Sequence, residues 1–371
     1  MKKELPRSLR FSVILFTSIL IIFAIIQAKE FLFPLVLGIL IAYLLYPLTN
    51  FLEKHRFPRI IAILISIIFA FFILTVIIIF FYKQFAVMLH DLPTLKTNAV
   101  ANIEALQTYV EHKLNIKDDT IERFLKTRVA SLFDQKNHFF NVLFTTTAGT
   151  IFRIVIMPVY VFLFLFYRTK FAYFILMVTP SEKKQTTINI MRGVSQVAAK
   201  YMGGVLIVVM ILCVINSTGL LIIGVKYAFI LGIIAALFNF IPHFGTLIGS
   251  IIPVTFTLLT VSPFTALKVL VMFIIVQFLE NNLLTPNIVG YNIRINPFFI
   301  ILGLIVAALV WGIAGMLIVV PVLATLKIFA KHIPSLKPYS FLLGLKGARR
   351  HALSASNIKK FFKKFRKKSK A

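Results

Sequence analysis

The chain has 371 residues, 59% of them hydrophobic and 14% charged, and its mean hydropathy is +0.94. A water-soluble core could not bury this much apolar surface, so soluble enzymes and soluble binding modules are excluded. The net charge is +28. The basic residues lie at the amino end, in short loops and in the carboxyl-terminal tail, a distribution that indicates membrane topology and not nucleic-acid binding.

Apolar runs of about 20 residues, each long enough to cross roughly 30 Å of hydrocarbon, recur along the chain. Because backbone groups in lipid must be satisfied internally, these runs predict an all-α polytopic membrane protein with about eight transmembrane helices. The predicted spans cover about 9–28, 31–52, 60–82, 147–167, 201–225, 227–261, 264–285 and 298–327. The basic loop 53–59 and the positive-inside rule predict that both termini are cytoplasmic.

The composition divides the chain into four parts. They are 1–82 with helices one to three, the helical extracytoplasmic insert 83–146, the membrane core 147–330 with a cytoplasmic amphipathic helix over 180–200, and the basic cytoplasmic tail 331–371. In the tail, lysine and arginine alternate with phenylalanine, which favours binding to anionic lipid headgroups over RNA. The insert favours a packing or assembly role over ligand binding.

The apolar stretch 227–261 is too long for one straight span, and each half is short for a full crossing. A cluster of helix-breaking residues, 239–245, interrupts it. We expect either one broken helix or a re-entrant pair whose freed backbone groups line a cavity, as in many transporter binding sites. The candidate break or hinge residues here and after span seven are Pro242, Gly245, Gly249, Pro286 and Gly290. His243 lies in the same break, where packing or water binding is favoured over proton transfer.

Glu280 is the only acidic residue after Glu182 and lies in an apolar span. Ionisable side chains in spans are costly and usually face a protein interior or a wet cavity. Gln277 and Asn281 share its helix face, and Arg294 follows as a possible counter-charge. The sequence therefore predicts a transport path lined by these four residues and His243, while a carboxylate that reaches out to the membrane interface is the structural alternative.

Catalytic motifs are absent from the sequence. It has no HExxH, GxSxG or phosphate-binding glycine loop, and no aspartate after Asp134. Cys213 is the single cysteine and lies in an apolar run, which excludes a disulfide framework and a thiolate metal site. We therefore expect neither enzymatic activity nor a cofactor.

Four stretches resemble the autoinducer-2 exporter family of bacterial permeases. They are Pro34 to Pro47, Met157 to Tyr167, Asn239 to Pro253 with its Asn-Phe-Ile-Pro-His-Phe-Gly run, and Glu280 to Pro321 with Thr285-Pro286, Gly290, Pro297, Gly312 and Gly315. The resemblance implies a multi-span, homo-oligomeric inner-membrane protein, in a family linked partly to autoinducer-2 export and partly to sodium/proton antiport. The chain departs from the family pattern at His243, Asn282 and Arg168-Thr169.

Three functions remain open at this point. The leading hypothesis is a secondary transporter that exports a small solute, such as autoinducer-2 or a related molecule. The second is a sodium (or other monovalent cation)/proton antiporter with Glu280 as the exchanged site, and the third is a membrane scaffold that transports nothing and recruits partners through its insert and tail.

Overall fold

The computed structural model describes residues 7–91, 93–102, 104, 148–242, 244–289 and 295–345. Most of the predicted insert and most of the basic tail lie outside these ranges. Within them the regular structure is helical, apart from one isolated bridge between Ile295 and Gly344. An all-α membrane fold is therefore confirmed.

In chain order the numbered α-helices are α1 (Arg7–Gln27), α2 (Lys29–Lys54), α3 (Arg59–His90), α4 (Ala148–Val178), α5 (Lys184–Ile223), α6 (Ala228–Leu237), α7 (Gly245–Thr260), α8 (Pro263–Leu279), α9 (Pro297–Trp311), α10 (Ile313–His332) and α11 (Lys337–Leu342). Short connections join most of the described α-helices, but His90 at the end of α3 and Ala148 at the start of α4 are separated by a long stretch that includes a further helical segment, 93–102. Among the described residues, six helical segments are long and apolar enough to cross a membrane, and four apolar helices are shorter. Large apolar side chains such as Ile68 and Phe72 are 65% exposed, as expected of a surface that faces lipid.

Contacts between helix ends define two opposite faces of the molecule. At the first, which we call the insert face, Asn102 donates a 2.8 Å hydrogen bond to the carbonyl of Leu259, and Asp91 contacts Lys226. At the second, the basic face, Arg168 pairs with Glu53. The helices between these faces form the membrane-embedded body.

The stretch 227–261 is a re-entrant hairpin. Its two ends lie together at the insert face, where the rings of Tyr227 and Phe256 are 5.8 Å apart. α6 and α7 turn back on each other through a 3-10 turn, Phe238–Phe240. They pack backbone to backbone, because a Cβ added at Gly249 would overlap the carbonyl oxygen of Ala235. Of the two forms that the sequence left open, the structure has the re-entrant one.

The predicted eighth span, 298–327, is also divided. Gly312 separates α9 from α10. Its φ is +65°, a backbone conformation that residues other than glycine rarely adopt. The two helices pack closely, since a Cβ at Gly315 would overlap the carbonyl of Ala307. At the start of α9, Asn296 N–H donates to Leu343 O at 2.9 Å. A single 30-residue span is thus replaced by a second hairpin, with both ends at the basic face.

The predicted amphipathic helix 180–200 and span five form one continuous helix. α5 has 40 residues, about 60 Å at the usual rise per residue. It ends at Gly224, whose φ of +86° gives a left-handed cap. The hydrophobic core along it joins Tyr201 to Ile241 at the tip of the re-entrant hairpin. The long helix therefore links the basic face to the middle of the membrane body.

Candidate functional site

Glu280 lies at the end of α8 and is only 4% exposed. It opens a π-helical turn, Glu280–Leu284, which is followed by one α-helical turn, Thr285–Ile288. A π turn inside an α-helix is rare and often marks a functional site. The structural alternative, in which the carboxylate reaches out to the membrane interface, does not describe this buried side chain.

Pro286 does not end the helix as the sequence predicts. It sits in the first turn of Thr285–Ile288, and the chain stays helical through it. Proline has no N–H and its ring clashes with the carbonyl four residues earlier in a regular α-helix. The wider π turn, closed by the hydrogen bond from Thr285 N–H to Glu280 O, accommodates that ring. Gly290, the other half of the predicted hinge, lies outside the described residues.

The Glu280 carboxylate accepts hydrogen bonds from three side chains. Thr246 Oγ1 donates to Oε2 at 2.6 Å, and Gln277 Nε2 donates to the same oxygen at 3.1 Å. Thr285 Oγ1 lies 3.5 Å from Oε1, at the limit of a hydrogen bond. Two of these donors come from its own helical segment and one from the hairpin, so the carboxylate joins α8 to α7.

Thr246 reaches the carboxylate because the hairpin tip is tightly closed. A Cβ at Gly245 would overlap the backbone of Phe238 and Asn239, so only glycine allows α7 to begin there. The Asn239 Oδ1 then lies 3.4 Å from Thr246 Oγ1. A hydroxyl has one proton, and the shorter distance assigns it to Glu280. We call Glu280, Gln277, Thr246, Asn239 and Thr285 the carboxylate cluster.

Two buried amides have unused hydrogen-bonding atoms. Gln277 Oε1 is buried and has no partner among the described residues. Asn216, on α5, is fully buried, and neither its Oδ1 nor its Nδ2 has a partner in the described part of the chain. Buried polar atoms without partners are uncommon and call for a ligand, a water molecule or a functional reason. In the carboxylate cluster, Gln277 Oε1 thus offers an oxygen atom to a polar solute or a cation.

The structure brings together some of the predicted path residues and separates others. Gln277 contacts Glu280, whereas Asn281 is exposed, so the predicted continuous polar face is not formed at Asn281. Pro242 is half-buried, and Gly245 and Gly249 are buried at the hairpin contact. His243 and Arg294 lie outside the described residues, and their predicted roles remain predictions.

Sequence reasoning missed three members of the carboxylate cluster, Asn239, Thr246 and Thr285, and the buried Asn216 of α5. Asn239 lies in the helix-breaking run 239–245, where asparagine is a common residue type. Thr246, Thr285 and Asn216 are common residue types within apolar helices. The one available signal was position, since Thr246 directly follows the break at Gly245.

A second polar cluster holds the base of the hairpin at the insert face. Asp91 Oδ2 accepts hydrogen bonds from Lys226 Nζ at 2.6 Å and from Tyr227 OH at 2.5 Å. These bonds, first that from Lys226, lower the pKa of the Asp91 carboxyl well below its usual value, and the same contact raises the pKa of Lys226. Tyr227 itself has a left-handed backbone, φ 63°. The cluster fixes the point at which the hairpin enters the membrane body.

Comparison with known proteins gives consistent results along the chain. A sequence model of the AI-2E family of transporters matches residues 13–335. Putative transport protein YrrI of Bacillus subtilis (strain 168) is 30% identical over 82% of this chain and 87% of its own length. Putative transport protein YueF of the same organism is 27% identical over 80% and 82% of the two chains. The AI-2 transport protein TqsA of Escherichia coli (strain K12) is 22% identical over 84% and 88%.

Proposed function

The chain belongs to the AI-2E family of membrane transporters, and we propose that it is a secondary transporter that exports a small polar solute through the region of the carboxylate cluster. Autoinducer-2 or a related hydroxylated molecule is the candidate substrate. The similarity to the AI-2 transport protein TqsA supports this choice, and hydroxyl groups would pair well with the amide and carboxylate oxygens of the cluster.

One observation carries the proposal. Glu280 is a buried carboxylate held between a re-entrant hairpin and a π turn, both of which are interruptions of regular helix. A carboxylate within a span costs several kcal/mol of insertion free energy, of the order of 2.5–3.5 for the related aspartate at a helix centre. Discontinuous helices near the membrane middle commonly form transporter binding sites. A stable helical membrane fold requires neither a buried carboxylate nor interrupted helices. Both features therefore support a solute-binding site.

The test is transport in inverted membrane vesicles. We expect Glu280→Gln to lose most solute flux and its dependence on a pH gradient, because the amide is neutral at every pH. Glu182→Gln is the matched control, since it removes an exposed carboxylate at the basic face. Unchanged flux and unchanged pH dependence in Glu280→Gln would exclude the central role of Glu280.

A monovalent cation/proton antiporter is the second candidate. The cluster favours it by providing several oxygen atoms, among them Gln277 Oε1 without a partner and Glu280 Oε1 with one long contact. Oxygen ligands suit hard cations. Addition of sodium to vesicles that carry a proton gradient would change the internal pH if the protein exchanges the two ions. If sodium causes no pH change while solute flux is intact, the antiporter is excluded and the solute exporter is the remaining candidate.

We place the protein in the bacterial inner membrane with its basic face in the cytoplasm. Basic side chains outnumber carboxylates among the described residues of that face. They include Lys54, Arg56, Arg59, Arg168, Lys170, Lys183, Lys184, Arg192, Lys331 and Lys337, against Glu53 and Glu182. An excess of lysine and arginine in short loops is typical of the cytoplasmic side. The variants Arg56→Cys and Lys226→Cys, treated with a membrane-impermeant thiol reagent outside intact cells, test this orientation. We expect labelling at position 226 only, and labelling at position 56 only would show the opposite orientation.

A further inference from the structure

A groove lies at the basic face, between α2 and α4 on one side and α5 and α10 on the other. Its volume is about 710 Å³, within the range of cavities that hold small ligands. Its wall is mostly apolar, with Ile39, Phe164, Leu176, Ile188, Met191 and Phe329 among the lining residues. The groove is separate from the carboxylate cluster, since no residue of that cluster lines it.

Two arginines line this apolar groove. Arg168 pairs with Glu53, and its guanidinium lies 5.0 Å from the centre of the Tyr46 ring. Its Nη1 is buried without a partner among the described residues. Arg192 is exposed, and no carboxylate in the described part of the chain pairs with it. An uncompensated positive charge therefore borders an apolar cavity.

The local charge balance leaves this positive charge unneutralised. Glu53 is the carboxylate at this end of the groove, and it faces both Arg168 and Arg59, whose Nε lies 3.9 Å from Glu53 Oε1. Arg59 also donates a 3.0 Å hydrogen bond to the carbonyl of Leu165. One carboxylate cannot neutralise two guanidinium groups and Arg192 as well. The groove is thus complementary to an anion.

We propose that this groove binds an anionic phospholipid of the surrounding leaflet. Its acyl chain would occupy the apolar cavity, and its phosphate would contact the exposed Arg192, with the charge of Arg168 in the groove wall beside it. Guanidinium groups bind phosphate oxygens through paired, charge-assisted hydrogen bonds. Basic pockets between transmembrane helices bind anionic headgroups at the cytoplasmic side of other membrane proteins. The lipid would bridge the amino-terminal helices and the carboxyl-terminal ones.

The experiment uses the full-length protein in nanodiscs that contain phosphatidylglycerol and phosphatidylcholine, with retained lipid identified by native mass spectrometry. The wild type should retain phosphatidylglycerol in preference to phosphatidylcholine. Arg192→Gln should bind phosphatidylglycerol about fivefold more weakly, the factor expected for the loss of one basic contact. Arg192→Lys should keep most of the binding because it keeps the charge. Ser195→Leu, which fills space at a lining residue without a charge change, should also lose the lipid.

The matched control is Lys200→Gln, an exposed basic residue of the same helix that does not line the groove. Its retention should equal that of the wild type. Equal retention of both lipids by the wild type, unchanged binding in Arg192→Gln, or an equal loss in Lys200→Gln would overturn the proposal. Glycerol 3-phosphate, which has the anion but no acyl chain, should not displace the lipid. Displacement would show that the groove recognises a soluble anion instead.

Discussion

The hydroxyl of Thr246 donates a 2.6 Å hydrogen bond to Glu280. Thr246 is the second residue of α7, the returning arm of the re-entrant hairpin, and Glu280 begins the π turn after α8. A proton or a solute that engages the carboxylate would compete directly with this bond. In the proposed transport cycle, the contact would therefore couple the occupancy of Glu280 to the position of the hairpin tip.

We predict that Thr246→Val lowers the stability of the folded protein and reduces transport. Valine has nearly the same shape but no hydroxyl, so the carboxylate loses its shortest hydrogen bond. A hydrogen bond to a charged group contributes about 1.5–3 kcal/mol to stability. The measurement is the unfolding temperature of the purified protein in detergent, together with flux in vesicles.

Thr257→Val is the control for Thr246→Val. Thr257 is also fully buried on α7, but its hydroxyl bonds to Pro253 O in its own helix. It should cost less stability and leave flux intact. Combining Thr246→Val with Glu280→Gln should give less than the sum of the single effects, because the two residues share one bond. Strict additivity would count against the contact.

We predict that Gly249→Ala and Gly203→Ala have opposite effects. At Gly249 the new Cβ would overlap the Ala235 carbonyl, so the two hairpin arms must separate, at a typical cost of about 1–3 kcal/mol. At Gly203, in α5, a Cβ would meet nothing within 4 Å. Alanine there should stabilise the helix by about 0.5–1 kcal/mol. The measurement is the unfolding temperature of each variant, and an unchanged or raised value for Gly249→Ala would contradict the close packing of the hairpin.

We predict a pH-dependent effect for Asp91→Asn. Because the pKa of Asp91 is lowered in the folded protein, its stabilising contribution is present above the unfolded pKa of about 3.9 and is lost as pH falls below that value. The pKa of Lys226 is raised, so its contribution disappears only as pH rises above about 10.4. The difference in unfolding temperature between wild type and Asp91→Asn should be constant near neutral pH and shrink in acid.

Glu182→Gln serves as the control here, because that carboxylate is exposed at the opposite face. Its unfolding temperature should follow the wild type at each pH. If the difference in unfolding temperature between wild type and Asp91→Asn stays the same down to the lowest pH at which the protein is folded, the ion pair is not its cause.

Much of the site was predictable from local sequence. A lone carboxylate in an apolar span identified Glu280, and the spacing of three residues correctly brought Gln277 to it. The run around Pro242 identified the hairpin break. These features work because insertion into lipid penalises polar groups and broken helices so strongly that any that occur stand out.

The remaining features depend on contacts between distant parts of the chain. Asp91 and Lys226 are 135 residues apart, and neither residue is unusual where it stands. Asn281 has helical spacing to Gln277, but the π turn rotates it away from the face that a regular α-helix predicts. Gly312 can be identified in the sequence as a glycine within an apolar run. Only its positive φ shows that the chain turns there, so that two helices replace one span.

Asn216→Leu should stabilise the protein and impair transport. Both amide atoms of Asn216 are buried without a partner among the described residues, and its helical neighbours Leu212 and Leu220 are fully buried too. An unsatisfied buried polar group costs about 1–3 kcal/mol, which a leucine of similar size would recover. Such a cost persists where function requires it. Asn189→Leu, an exposed change on the same helix, should shift the unfolding temperature little. If Asn216→Leu instead lowers that temperature, the amide is satisfied in the folded protein, and it is a structural residue with no part in solute passage.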